Sequence, residues 1–156
     1  VAEPISWLAL QAIKALVQSV SVINGYYTDM GAADIVLDRS QVPEGEAPFV
    51  LITATDFTPI DARSGPKTTV NTMDLVIEFA QPMGDGVTDP ELIAHRGRAD
   101  LVRVLKTDLR SAPAMLHNLQ ITSSRIGSDT DEAGSALVIA QVSARVDLTE
   151  SKSPAT

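Results

Sequence analysis

The sequence predicts an α/β chain of the α+β type: a mostly antiparallel sheet of about five strands with two helices packed on one face. Three observations carry this. Apolar residues recur at spacings of three and four in two segments, 5–23 and 88–110, the period of a helix with one buried stripe. Five other segments are rich in Val, Ile, Leu, Phe and Thr, and several of them alternate polar with apolar residues, the period of a strand. The resulting order, α-β-β-β-α-β-β, has strands joined in hairpin fashion on either side of the second helix.

The elements follow in chain order. In 5–23 the stripe is Trp7, Leu10, Ile13, Leu16, Val17, Val20 and Ile23. Pro4 suits the first turn, where its missing N–H costs nothing. Asn24-Gly25 supplies a left-handed residue to end the helix. A short strand is expected in 33–39, around Ile35-Val36-Leu37, and a turn at Val42-Pro43-Glu44-Gly45. The apolar run from Phe49 to Thr55 reads as a central strand, covered on both faces. Residues 56–67 carry Asp, Pro, Gly and charge without apolar period, and read as a long loop or the tip of a long hairpin. Val70 to Ala80 is the next strand, with Met73, Leu75, Ile77 and Phe79 on its buried side.

Thr88-Asp89-Pro90-Glu91 carries a helix-start pattern, with Thr88 as cap, Pro90 in the first turn and Glu91 closing a capping box. Leu101, Val102, Leu105 and Leu109, with Ala94 and Ala99, form the expected buried side of the helix, and Ser111-Ala112-Pro113 ends it. Leu119 to Ile126 and Ala136 to Leu148 are the last strands, joined by an acidic hairpin loop over 127–135. A change of parity between Ile139 and Val142 suggests a bulge or a change of buried face. Residues 1–148 form one domain, and 149–156 are expected to be a flexible tail.

Composition narrows the chemistry. There are no cysteines, which removes thiolate catalysis, disulfides and cysteine-based metal sites. The formal charge of −8 suits solubility better than wrapping a nucleic-acid backbone. No segment reaches the ~18 apolar residues of a spanning helix. The N-terminus has no basic region before its apolar run, so no signal peptide is expected.

No catalytic constellation is legible. His95 and His117 lack metal-ligand spacing and read as surface or helix-end residues. No Gly-x-Ser-x-Gly elbow marks a nucleophile, and no Gly-Lys-Ser/Thr loop marks a phosphate site. Gly84-Asp85-Gly86 reads as a tight turn, and Asp129, Asp131 and Glu132 as a solvated acidic tip without calcium-loop spacing. No metal or cofactor is expected. On the second helix Arg96, Arg103, Lys106 and Arg110 fall on one stripe, with Arg98 off it and Asp100 and Asp108 as balancing neighbours. That stripe is either a solvated face or a surface for a neighbouring subunit or DNA, protein contact being preferred in an acidic chain.

One junction stands out: Ile23-Asn24-Gly25-Tyr26-Tyr27-Thr28-Asp29-Met30-Gly31, a helix stop and chain reversal that holds both tyrosines. Together with the N-terminal helix, the short strand after it and Pro48-Phe49-Val50-Leu51-Ile52, it resembles the tail terminators of tailed phages, the siphophage minor-tail-protein group. The arrangement covers most of the chain and is sharpest over 23–52. The resemblance implies a virion structural protein without enzymatic activity or cofactor. Such a subunit forms a homohexameric ring that ends tail-tube growth and joins the tail to the head–tail connector. Its partners would be further copies of itself, the tail-tube protein and the connector, with DNA passing through the ring lumen and no membrane or sequence-specific nucleic acid. Assembly would take place in the host cytoplasm. The candidate interface residues are Asp61, Arg63 and Lys67 in the 56–69 loop, the helical stripe Arg96, Arg103, Lys106 and Arg110, and Asp129, Asp131 and Glu132 in the acidic hairpin. The alternatives are another neck or tail-completion protein, or a small ligand-binding or enzymatic domain with its site near Asp56, Asp61 and Arg63.

Overall fold

The computed structural model describes residues 3–42, 47–84, 88–107, 109, 112–130 and 136–151. Strands β1 (Asp34–Val36), β2 (Phe49–Pro59), β3 (Thr68–Pro82), β4 (Gln120–Thr130) and β5 (Ala136–Ser151) form one sheet in the order β1-β2-β3-β5-β4. Every pairing is antiparallel except β1 with β2, which is parallel. Helices α1 (Ile5–Gln18) and α2 (Pro90–Lys106) complete the α+β fold.

The alternation expected of β3 places Met73, Leu75, Ile77 and Phe79 in the main core. Val50 and Ile52 of β2 and Ala140 through Leu148 at alternate positions of β5 join them, against Leu10, Ile13 and Val17 of α1 and Leu101, Val104 and Leu105 of α2. Two close approaches set the helical layer. An added Cβ on Gly97 would lie 2.6 Å from Phe79 Cδ1, so the Phe79 ring of β3 packs directly on the α2 backbone. One on Gly31 would lie 2.3 Å from the Gln18 carbonyl oxygen, where the chain after the junction passes the end of α1.

The opposite face is covered at one end only. Phe49, Leu51 and Ala80 form a second small cluster with Val36, Val42 and Ile139. Val36 ends β1 and Val42 lies within the connection to the parallel β2, which needs a crossover rather than a tight hairpin. The rest of this face carries Thr72, Asp74, Glu78, Gln141, Arg145 and Asp147, none of them buried.

Several sequence expectations are corrected. Helix α1 stops at Gln18, not Ile23. Ser19 Oγ donates to the Leu16 carbonyl at 2.6 Å and Asn24 Nδ2 donates to the Ser19 carbonyl at 2.8 Å, local bonds that compete with further helix. Residues 21–25 form a turn in which Gly25 takes φ +89°, and Ile23 is 96% exposed. Trp7, also placed in the stripe, is exposed.

The segment 56–67 is the tip of a long hairpin. Strand β2 runs on to Pro59, and Asp61–Arg63 forms a 3-10 turn. A register shift between Ala54 and Asp56 breaks the alternation there, which hid the strand's second half.

Strand β4 extends through Gly127–Thr130, so the acidic loop is shorter than expected, and 131–135 lie outside the described residues. Strand β5 has no bulge: its register against β3 is unbroken from Leu137 to Ser151. Apolar residues appear on both parities near Ile139 because both sheet faces are covered at that end. Glu150 and Ser151 pair with Thr69 and Thr68, so the expected tail begins no earlier than 152.

Helix α2 lacks its capping box and ends at Lys106. Asp89, not Thr88, is the N-cap residue, with φ 51° and ψ 59° and no side-chain cap bond. Pro90 at the helix start disfavours the right-handed region for the residue before it. The expected turn at Val42–Gly45 lies largely outside the described residues, as does that at Asp85–Val87.

Candidate interaction surfaces

The Asn24-to-Gly31 junction is a braced corner, and α2 supplies the brace. Asp100 is 1% exposed. Its Oδ1 accepts the Tyr27 N–H at 3.0 Å, and its Oδ2 accepts both the Thr28 N–H at 2.8 Å and the Thr28 hydroxyl at 2.7 Å. One turn further along, Arg103 Nη1 donates to the Gly25 carbonyl at 2.6 Å, and its guanidinium sits 4.5 Å from the centre of the Tyr26 ring. Hydrogen bonds to a charged group and a cation–π contact are among the stronger polar interactions available. Asp29 closes the corner by accepting the Val22 N–H at 2.9 Å. The exposed side chains of Val22, Ile23 and Tyr27 are therefore carried on a fixed support.

Asp100 was not legible as the centre of this corner. Among the arginines it reads as a balancing charge on a wet face. The usable signal was its position, three residues after Gly97 and four before Val104, both buried on α2. Arg103, expected in the interface stripe, makes contacts within the subunit. Arg96 and Lys106 are exposed, whereas the stripe's neighbour Arg98 is half-buried and its Nη1 donates to Ser124 Oγ at 3.3 Å. Arg110 and Asp108 lie outside the described residues.

At the hairpin tip Asp61 and Lys67 are exposed. Arg63 instead reaches across the sheet to Asp147, 2.8 Å away, whose other oxygen accepts the Thr72 hydroxyl at 2.7 Å. Ser64 Oγ donates to the Ile60 carbonyl and accepts the Val70 N–H, tying the tip to itself. Asp129 is exposed on β4, while Asp131 and Glu132 lie outside the described residues. The interface candidates thus sit in three separate places rather than on one patch.

The open sheet face carries a polar ladder. Gln141 Nε2 donates to Glu78 Oε1 at 2.8 Å, and Arg125 Nε donates to Gln141 Oε1, a chain across β3, β5 and β4. Asp56 and Asp74 stand directly opposite each other on β2 and β3, and Arg145 Nε lies 3.8 Å from Asp74. Like charges in that position repel.

His95 is exposed on α2, and His117 Nε2 lies 3.0 Å from the Ala112 carbonyl oxygen. Among the described residues no cluster of three or more metal-ligating side chains occurs, and no helix is long and apolar enough to cross a membrane. An open groove of about 420 Å³ lies between the junction, the end of β3 and the start of α2, walled by Thr28, Met30, Phe79, Gln81 and Ile93. No protein-family model and no curated protein matches the chain.

Proposed function

We propose that this chain is a structural subunit of a phage tail, a terminator that closes into a hexameric ring at the end of the tail tube and joins it to the head connector. The observation that carries the reading is the braced junction. The segment on which the resemblance is sharpest is tied to α2 by three hydrogen bonds to one buried carboxylate, so it is a built feature of the subunit. The β2–β3 hairpin supports the same reading, because its outer strand from Thr55 to Pro59 is exposed and its tip carries Asp61 and Lys67 into solvent.

A ring is a closed set of heterologous contacts, two different surfaces meeting at each joint. Repetition around the ring gives avidity from modest joints. The hairpin tip is the part assigned to the tube or the connector. The combined variant Asp61→Ala, Arg63→Ala, Lys67→Ala tests it. The Arg63–Asp147 pair is half exposed and worth at most about 1 kcal/mol, so folding should persist. Tail completion, read by electron microscopy of complemented particles, should fail. Particles that mature normally would remove the tip from the mechanism.

A second reading, small-ligand binding, draws on the groove beside the junction, whose size falls within the ~300–1,000 Å³ usual for ligand sites. A fragment screen by protein NMR that perturbs Met30, Phe79 and Ile93 together would favour it.

A further inference from the structure

The sheet has two unlike edges, and both are open over a substantial length. Among the described residues β4 pairs on one side only, with β5, from Gln120 to Thr130. On the far side, β1 covers β2 only from Phe49 to Leu51, which leaves the outer edge of β2 unpaired from Ile52 to Pro59. Among the described residues neither stretch donates a backbone hydrogen bond to a loop, and the Phe57 N–H donates to the Asp56 carboxylate at 3.0 Å. Natural edges of this length are usually blunted by charged residues, prolines, bulges or covering elements, and each of these strands carries one register shift, at Ala54/Asp56 and at Ile121/Ser123. Here β4 contains no lysine and no proline, and the open part of β2 has a proline only at its end.

We propose that neighbouring copies of this chain join edge to edge, the outer side of β4 pairing with the outer side of β2 in the next copy, with Arg125 opposite Asp56. This rests on the ring reading and supplies its joint.

Three independent features fit. The first is polarity. Each step β2–β3, β3–β5 and β5–β4 is antiparallel, so β4 runs opposite to β2, and side-by-side copies meet in antiparallel fashion. The second is charge. Asp56 faces Asp74 across the hairpin; within the subunit Arg145 stands 3.8 Å from Asp74 and the Phe57 N–H donates to Asp56, and Arg125, the cation of β4, supplies Asp56 with a charged partner from the next copy. The third is facing. Arg125 stands opposite Gln141, and Asp56 is opposite Asp74, which is opposite Arg145; Gln141 and Arg145 share the open face. Arg125 and Asp56 therefore project from the same side of the sheet. The same register sets Ser124 opposite Phe57 on the helical side, with Ile126 diagonal to it. Phe57 is 46% exposed in the isolated subunit and gains an apolar neighbour there.

The register also fixes the offset between copies. Arg125 lies level with Gln141 and Asp56 level with Arg145, a stagger of four residues along β5. That is about 13 Å along strands for a repeat of four strands, β2, β3, β5 and β4, about 19 Å wide, a tilt of about 35° to the ring axis, within the range of closed sheets.

The chain has no cysteine, so the joint can be tested by cross-linking without background. Oxidation of the double variant Asp56→Cys, Arg125→Cys should give a ladder of linked species ending at a closed ring, while either single variant should give none above wild type. Asp56→Arg or Arg125→Glu alone should raise the concentration needed for assembly about tenfold or more, and the two together should restore it. Rings that form without linking 56 to 125, and that persist in both reversals, overturn the edge assignment and leave the ring reading standing. A chain that stays monomeric throughout overturns both.

Discussion

At the scale of single residues, the most exacting position is Asp100. A buried carboxylate is costly unless its lone pairs are engaged, and here three donors from the junction engage them. Asp100→Ala leaves the Tyr27 and Thr28 amides without their partner and should lower stability by about 2–3 kcal/mol in urea titration. Asp100→Asn should recover only part of this, because its amide nitrogen faces N–H or O–H donors. Gly31 is constrained by backbone rather than by conformation, and Gly31→Ala should destabilise by about 1–3 kcal/mol through contact with the Gln18 carbonyl. Asp38 accepts the Ser40 N–H at 2.9 Å, and the backbone and side-chain hydrogen bonds of Ser40 hold its carboxyl below the ordinary aspartate value. A carboxyl lowered in the folded state adds stability above its unfolded pKa and loses it as pH falls through the folded one. The group is fully exposed, so the effect on stability is small. An NMR titration should still place Asp38 below 3.8, and a value at or above 3.8 would contradict this.

At the scale of elements, physics that the sequence displays directly was legible. Met73, Leu75, Ile77 and Phe79 alternate, and the strand they predict is β3, with that face buried. What was hidden depended on partners. The second half of β2 looked like loop because a bulge near Thr55 interrupts its alternation, and its pairing with Asn71–Asp74 cannot be read from its own residues. The end of α1 was overrun because Val20 and Ile23 continue the helical period, whereas Val20 is buried beyond the helix and Ile23 is exposed. Gly97 offers an element-scale test. Alanine gains about 1 kcal/mol of helix propensity over glycine, but its Cβ would sit 2.6 Å from Phe79 Cδ1. Overpacking of that kind costs about 1–3 kcal/mol and should win. Thermal unfolding of Gly97→Ala should therefore show a loss, and adding Phe79→Leu should turn it into a gain.

At the scale of the whole molecule, the sheet is helical on one side, polar over most of the other and open at both edges. The order of elements and the placing of both helices on one face were readable from periodicity. The parallel β1–β2 pair was not, because a three-residue strand says nothing about its direction. The candidate interface was readable only as charge: it identified exposed Asp61, Lys67, Arg96 and Lys106 but could not distinguish Arg103, which is held by Gly25 and Tyr26 within the subunit. The proposed ring turns the remaining open features, two edges and a hairpin, into one joint and one contact for the tube. The most direct test is electron microscopy of the purified chain, alone and mixed with tubes assembled from a phage tail-tube protein. The expected result is sixfold rings, of six times the 16.5 kDa subunit mass, seated on tube ends that no longer elongate. A monomer that leaves the tubes uncapped and growing would contradict the assignment.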